Sequence, residues 1–170
     1  LFPYTTLFRS VHLERVDAAD AVRGALAAAR FRADQYGARI ELGPLAPGSV
    51  AADPLRLRQI LVNLLVNGAK YGGSPPRLRV SVVDPGRGTL RFEVADNGPG
   101  IAPEQRERLF RDFERLGAEK TDLEGSGLGL ALSREMALLQ QGALGVGDAE
   151  QGGALFWLEL PQWGVEAAAA

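Results

Sequence analysis

The most informative hydrophobic pattern covers residues 55–71, LRLRQILVNLLVNGAKY, where apolar side chains fill most of every helical face. Polar side chains interrupt it at intervals of three or four positions, so they share one line along the helix. They are Gln59, Asn63, Asn67 and Lys70. The pattern predicts a helix that is buried nearly all round and carries a polar stripe. Because an unpaired buried carboxamide costs about 1–3 kcal/mol, we expect this stripe to face a bound polar ligand or ion.

The segments before this helix carry clear start and stop signals. Apolar positions at near-helical spacing predict a helix over residues 17–36, with Gly37 as its stop. A short strand over residues 38–42 and a proline- and glycine-containing loop around residues 44–48 follow. Asp53 then stands where an N-cap belongs and Pro54 at the first helical position, so the polar-striped helix has a well-marked beginning.

The segments after this helix alternate between strand and helix patterns. Apolar residues alternate with polar ones around residues 78–82 and 90–94, and the turn residues between them predict a β-hairpin. Pro103 predicts a short helix that runs to about Phe110. A further helix follows a glycine-rich segment and ends at Gly142, a favourable C-terminal cap, before two strands at residues 143–146 and 154–160. We predict one domain over residues 11–163, without internal repeats.

Composition narrows the possible classes of protein. The chain has 170 residues, 46% of them hydrophobic, which suits one soluble domain. With 19 basic and 21 acidic residues, the net charge of -2 offers no electrostatic case for nucleic acid. No cysteine is present, which excludes disulfides and thiolate sites. Apolar runs fall short of the roughly 18 residues of a membrane span, so we expect no membrane contact by this chain.

The two ends of the chain lack the helix and strand patterns of its middle. Residues 1–10, LFPYTTLFRS, have neither the charge pattern nor the cleavage site of a secretory signal. They resemble an in-frame translation of sequencing-adapter DNA, so we treat them as a non-native leader and expect the native sequence to begin near Val11. We expect residues 164–170 to form a disordered tail.

Three groups of residues carry candidate chemistry, and the first is the amide pair on the polar-striped helix. Amide oxygens are acceptable ligands for Mg²⁺, which prefers oxygen and usually keeps several waters and phosphate oxygens. Asn67 would then bind the metal with help from Asn63, and Lys70 could reach a phosphate. The alternative is that both amides hydrogen-bond to a neighbouring loop and that the lysine faces solvent.

The second group is Asp96 within the sequence DNGPG, directly after an alternating strand. A carboxylate fixed at a strand end can accept a hydrogen bond from an exocyclic amine, and the glycines allow the backbone to pass close to a flat ring. The alternative is ordinary turn chemistry, for which Asp-Asn-Gly is well suited.

The third group is the glycine-rich segment at residues 125–129, GSGLG, which leads directly into a helix. Backbone amides at a helix start form a natural phosphate site. The segment lacks the glycine spacing and the preceding strand of a dinucleotide fingerprint, and the chain contains no Gly-Lys pair of a Walker motif.

These segments occur in an order that resembles a known family. They are the polar-striped helix, DNGPG, the Phe110 and Phe113 pair, GSGLGL and the closing Gly152-Gly153-Ala154-Leu155-Phe156. Over about residues 11–161 they resemble the N, G1, F, G2 and G3 boxes of the catalytic ATP-binding domain of sensor histidine kinases, within the GHKL superfamily. The resemblance implies the Bergerat fold, an α/β (α+β) two-layer sandwich. Its sheet would be mixed but mostly antiparallel, with about five strands and three main helices on one face.

The resemblance also implies a site for ATP and Mg²⁺. Asp96 would take the adenine amine, Tyr71 would lie against the base, and residues 111–124 would form a lid. The implied nucleotide contacts are Asn63, Asn67, Lys70, Tyr71, Asp96, Gly98, Gly100, Ile101, Phe110, Arg115, Gly125, Ser126, Gly127, Leu128, Gly129 and Leu130, and the implied metal ligands are Asn67 and Asn63. Gly68 replaces the usual alanine, and a glycine inside a helix costs about 0.5–1 kcal/mol.

The chemistry implied by the resemblance is phosphoryl transfer. Members of the same superfamily that hydrolyse ATP, such as DNA gyrase, mismatch-repair proteins and a heat-shock chaperone, use a glutamate one helical turn before the metal-binding asparagine. Here Asn63 stands at that place, and an amide lacks the basicity of a general base. The resemblance therefore favours transfer to a histidine on a separate dimerisation domain, with a response regulator downstream and a cytoplasmic location.

The only histidine, His12, lies outside the sequence context of an acceptor, and residues 13–42 resemble the lead-in from a missing helical domain. We therefore expect no self-phosphorylation. Two alternatives remain open: a stand-alone serine kinase of the anti-sigma-factor type, and a domain that senses nucleotide without catalysis.

Overall fold

The protein is a two-layer α/β sandwich in which helices cover one face of a five-stranded sheet. The computed structural model describes residues 10–111 and 129–165. The strands are β1 (Glu14–Asp17), β2 (Arg39–Leu45), β3 (Ser49–Ala52), β4 (Arg77–Val83), β5 (Thr89–Asp96), β6 (Ala143–Asp148) and β7 (Ala154–Pro161). The helices are α1 (Ala18–Asp34), α2 (Pro54–Tyr71), α3 (Pro103–Arg106) and α4 (Gly129–Leu139), with a 3-10 turn at Arg108–Phe110. The predicted fold class is confirmed.

The main sheet has the strand order β2-β4-β5-β7-β6. β2 runs parallel to β4, and the other neighbours are antiparallel, so the sheet is mixed as predicted. The predicted hairpin is β4 and β5, with Val80 opposite Val94. Side chains of β5 and β7 alternate strictly, because one face packs under the helices and the other does not. Phe92 and Leu158, both fully buried, lie on that inner face.

A second, two-stranded sheet was not predicted. β1 pairs with β3 in antiparallel register, with Val16 opposite Val50. Both strands have only four residues. β1 lies in the segment that we assigned to a lead-in, and β3 lies directly after the predicted loop. β2 also extends through Pro44 to Leu45, with a register shift after Leu42, so the predicted loop is shorter than expected. Such short strands are specified by partners distant in sequence, which local periodicity cannot reveal.

α2 is the central helix of the core, and its start is built as predicted. The Asp53 carboxylate accepts hydrogen bonds from the backbone N–H groups of Leu55 and Arg56, at 3.1 and 3.2 Å. Its second oxygen accepts one from His12 N at 3.1 Å, which fixes the preceding segment to the helix start. The prediction of nearly complete burial was wrong at this first turn, because Leu55 is 58% exposed.

Gly68 has a packing explanation. A Cβ at this position would lie 2.6 Å from Leu78 Cδ2 on β4, so the missing side chain lets the helix approach the sheet. The helix-propensity cost of this glycine is therefore offset by close packing on the strand beneath it.

The end of α4 is joined to the start of α2 by a fully buried glutamine. Gln140 donates from Nε2 to Met136 O at 2.9 Å and accepts from Asp53 N at 2.8 Å through Oε1. The predicted cap at Gly142 is one residue off: Gln141 adopts the left-handed conformation with φ of 60°, and Gly142 N donates to Ala137 O.

Within residues 10–111 and 129–165, no helix combines the length and the apolar character needed to cross a lipid bilayer.

We predict that Asp53→Ala lowers the free energy of unfolding by about 1–2 kcal/mol at pH 7, the usual cost of losing an N-cap. Burial works to raise the pKa of the Asp53 carboxyl, but the hydrogen bonds from His12, Arg56 and Leu55 outweigh it and hold the pKa below its ordinary 3.8. The cap therefore stabilises fully above pH 3.8 and is lost as pH falls through the lower folded-state value. Urea unfolding at several pH values measures this effect.

Asp53→Asn is the matched control, because asparagine caps helices nearly as well. An alanine variant as stable as the wild type at pH 7 would contradict this account of the helix start.

Candidate functional site

Asp96, the last residue of β5, is held with one oxygen bound and one oxygen available. The residue is only 9% exposed. Oδ1 accepts hydrogen bonds from Gly98 N at 2.9 Å and from Ala154 N at 3.1 Å. Among the described residues, Oδ2 accepts none. The arrangement presents a fixed acceptor at the end of the strand.

Burial determines the electrostatics of this carboxylate. Desolvation raises the pKa of Asp96 above its ordinary value, and the hydrogen bonds from Ala154 and Gly98 act in the opposite direction. Within residues 10–111 and 129–165, no basic side chain is among the causes, so none of them neutralises the negative charge by an ion pair. A group that is buried, charged and unpaired on one oxygen is suited to receive an N–H donor from a ligand.

Glycines allow the backbone to crowd around this acid. Gly153 has φ of +88°, and a Cβ there would collide with the main-chain carbonyl oxygen of Asp96. A Cβ on Gly98 would lie 2.7 Å from the carbonyl oxygen of Tyr71. Gly100 has φ of +75°, a conformation that favours glycine, and faces Gly153. Two loops therefore meet at the acid with no space for side chains.

Asn97, which we read only as part of a turn, ties the end of β5 to the segment after α2. Its Oδ1 accepts from Gly73 N at 3.0 Å and from Arg77 N at 2.7 Å. Its Nδ2 donates to Pro75 O at 3.1 Å. The end of the polar-striped helix and Asp96 are thereby held in fixed relation.

At the middle of α2, Asn63 contacts the first two turns of α4. Its Nδ2 donates to Ser133 Oγ at 3.1 Å, and Ser133 is fully buried. A Cβ on Gly129 would lie 2.6 Å from Asn63 Oδ1, so the amide packs directly against the start of that helix. The amide thus reaches the point at which the glycine-rich segment enters α4.

The remaining members of the stripe differ in exposure. Asn67 and Lys70 are half-buried, Tyr71 is 39% exposed, and Gln59 is exposed. The expectation that the whole stripe is buried was therefore wrong. The stripe lies at the boundary between the interior and the surface, with Gln59 on the surface. From Asn63 to Tyr71 the helix rises by about 12 Å, at 1.5 Å per residue. This distance separates the amide end of the site, at Asn63 and Asn67, from the acid end, at Tyr71 and Asp96.

Three predicted contacts pack with the hydrophobic core. Phe110 is 9% exposed and lies under the Arg134 guanidinium, at 5.1 Å from the ring centroid. Ile101 and Leu130 are partly buried against the same core. Contacts of these side chains with a nucleotide stay a prediction. In the structure these side chains support α4.

The other predicted contacts lie outside the described residues. They are Arg115, Gly125, Ser126, Gly127 and Leu128, together with Phe113 and the rest of the expected lid beyond Arg111.

A separate cleft of about 180 Å³ opens between α1 and α2, near Ala21 and Leu57. It contains no predicted site residue and is not the candidate site.

Sequence reasoning missed Ser133, Asn97 and the Ala154 backbone N–H as site-forming groups. Ser133 looks like any small residue on an apolar helix face, and a backbone donor has no sequence signal. The Gly152-Gly153 pair was the only available clue, since adjacent glycines before a strand indicate a close backbone approach.

The chain is similar in sequence and in fold to proteins of one known family. The family described as "Histidine kinase-, DNA gyrase B-, and HSP90-like ATPase" matches residues 52–164. The solved structure of the mycobacterial sensor histidine kinase MprB is 30% identical, with a TM-score of 0.75, over 89% of this chain and 98% of that one. The chain belongs to the sensor histidine kinase family.

Other members of the family are much longer than this chain. The histidine-protein kinase AfsQ2 of Streptomyces coelicolor is 42% identical over 110 residues, which are 65% of this chain and 20% of that protein. The histidine protein kinase DivJ of Caulobacter vibrioides is 37% identical over 85% of this chain and 24% of its own length. The full-length structure of ShkA with AMPPNP is 34% identical with a TM-score of 0.76, over 95% of this chain and 33% of that one. The match to this chain thus spans between a fifth and a quarter of the length of AfsQ2 and of DivJ.

We predict that Gly153→Ala destabilises the protein far more than Gly152→Ala. Both glycines have positive φ, at +88° and +81°, so both variants carry a similar backbone strain of about 1–2 kcal/mol. Only Gly153 also lacks space, because its Cβ would meet Asp96, which adds about 1–3 kcal/mol of overpacking. Thermal or urea unfolding of the two variants measures the difference. Equal destabilisation would show that the contact with Asp96 is not tight.

Proposed function

We propose that this chain is the ATP-binding catalytic domain of a two-component sensor kinase. It would donate the γ-phosphate of ATP to a histidine on a dimerisation domain elsewhere in the full-length protein. The observation that carries the proposal is the Asp96 carboxylate, buried, held on Oδ1 by two backbone donors and available on Oδ2. The AMPPNP in the related ShkA structure supports an adenine nucleotide as the ligand.

The acid end of the site suits adenine. The exocyclic amine of adenine is an N–H donor, and Oδ2 of Asp96 is an acceptor in a desolvated position where such a bond is strong. Gly98 and Gly100 let the loop after β5 pack closely against the backbone of Tyr71 and Gly153, which fixes the position of the acid at this end of the site. Tyr71, at the end of α2 and partly exposed, can cover the ring.

The amide end suits the triphosphate and Mg²⁺. Asn67 and Asn63 supply neutral oxygens, and Lys70 stands one turn beyond Asn67 on the same face. Over the described ranges, no three acidic or histidine side chains converge on a metal position. A Mg²⁺ ion held here would thus keep waters and phosphate oxygens as ligands, which is its common mode of binding. When bound, it would neutralise charge on the phosphates.

Phosphoryl transfer fits this residue set better than hydrolysis. Asn63 lies one helical turn before Asn67, where a general base would be needed to deprotonate water. Its amide cannot do so, and it is already engaged with Ser133. The domain would therefore hold the nucleotide and leave the nucleophile to a partner.

The acceptor would be that partner's histidine and not His12. His12 is exposed, and its backbone N–H is bound to Asp53 at the start of α2, away from Asp96 and the amide end. We propose that the phosphate passes to a downstream response regulator. Because the donor is ATP, we propose a cytoplasmic setting for the reaction.

We predict that Asp96→Asn raises the stability of the protein but weakens its binding of ATP. An asparagine can keep the acceptor for Gly98 N and Ala154 N. It also removes a charge whose burial raises the pKa of Asp96, so the native protein gains stability at pH values above that raised pKa. If its Nδ2 occupies the place of Oδ2, two N–H donors face each other, the amide nitrogen and the adenine amine. Leaving these two groups unpaired costs about 1–3 kcal/mol, which lowers the affinity for ATP about 5- to 150-fold. Calorimetric titration with ATP and urea unfolding measure the two effects.

Asp96→Ala is the companion variant and should lose both the backbone tie and the ligand bond. ATP affinity unchanged in both variants would refute the assignment of Asp96 to the adenine.

We predict that the isolated chain incubated with radiolabelled ATP and Mg²⁺ does not label itself. Label should appear on a histidine-bearing dimerisation domain from the same full-length protein when that domain is added, because the chain supplies the nucleotide but no acceptor. Labelling of His12 in the isolated chain, removed by His12→Ala, would overturn the proposed division of roles.

A further inference from the structure

Asn63 is held by a hydroxyl that sequence motifs do not single out. Ser133 is fully buried in α4, and its Oγ lies 3.1 Å from Asn63 Nδ2. An amide nitrogen is only a donor, so the hydroxyl accepts this bond. One end of the Asn63 amide is thereby fixed.

The hydrogen bond also determines where the other end of the amide points. With Nδ2 directed at Ser133, Oδ1 faces the start of α4, where a Cβ on Gly129 would lie 2.6 Å away. Gly129 is the last residue of the glycine-rich segment at residues 125–129, and the first residue of that segment that the structure describes. The carbonyl oxygen is therefore the part of Asn63 nearest the expected phosphate end.

Ser133 itself has little freedom to move. Met136 and Ala137 share its buried helix face, and Gln140 fastens the end of the same helix to the start of α2 through Asp53 N. The two helices are thus tied at both Asp53–Gln140 and Asn63–Ser133. A hydroxyl on so constrained a helix can hold an amide in one orientation.

We propose that Ser133 is a positioning residue that orients the Asn63 amide so that Oδ1 serves Mg²⁺ and its phosphate-bound waters. The proposal rests on the proposed function and deepens it at the metal end. Ligand-orienting partners of this kind usually change metal affinity by about 10- to 100-fold when removed. Without the hydroxyl, the amide is free to rotate and to present Nδ2, a donor, to a cation.

The test compares ATP affinity with excess Mg²⁺ and with EDTA, by calorimetric titration of the full chain. The ratio of the two affinities reports the metal contribution alone. Ser133→Ala should lower this ratio by about tenfold or more and leave the affinity in EDTA within about twofold. Ser133→Thr, which keeps the hydroxyl, should recover most of the ratio.

A double-mutant cycle with Asn63→Ala distinguishes positioning from general damage to the helix. If Ser133 acts through Asn63, Ser133→Ala has no further effect on the ratio once Asn63 is gone. Ala137→Gly is the matched structural control, because it perturbs the same buried face of α4 without touching Asn63. It should lower stability and leave the metal ratio unchanged.

The outcomes separate the two levels of the proposal. A wild-type chain whose ATP affinity does not respond to Mg²⁺ would overturn the proposed metal site, and this inference with it. A wild-type response that persists in Ser133→Ala, or additive effects in the cycle, would overturn the role of Ser133 alone.

Discussion

The structure depends on one constraint, which is that two backbone N–H groups from separate loops must reach the same oxygen of Asp96. Gly98 N comes from the loop after β5, and Ala154 N comes from the beginning of β7. Such convergence requires a backbone without side chains at the contact, and Gly153 meets that need. The antiparallel pairing of β5 with β7 brings the two loops together. The result is a buried acid whose Oδ2 accepts no hydrogen bond from the described residues.

α2 connects Asp96 to the rest of the site. At one end of the helix, Asn97 binds the segment that follows it and so fixes the helix relative to Asp96. At the other end, Asp53 caps the helix and Gln140 joins that cap to α4. Between these ends the Asn63 amide meets Ser133. The acid end and the amide end are thus linked through hydrogen bonds at both ends and at the middle of α2, which suits the proposed role of the domain in positioning a nucleotide.

The parts of the fold that could be predicted are those with local signals. α2 was predictable because Asp53, Pro54 and a dense apolar pattern agree, and the β4–β5 hairpin because alternation and turn residues agree. The β1–β3 pair and the Gln140 tie were not predictable, since their partners are distant in sequence. In the site, the motif residues could be named but their orientation could not.

The central claim is that Asp96 Oδ2 receives the exocyclic amine of adenine. The most direct measurement compares the affinity of the wild-type chain for ATP and for the triphosphate of purine riboside, which lacks only that amine. Leaving a buried acceptor unpaired costs about 1–3 kcal/mol, so the account predicts binding at least about fivefold weaker for the amine-free nucleotide. Equal affinity for the two nucleotides would contradict it.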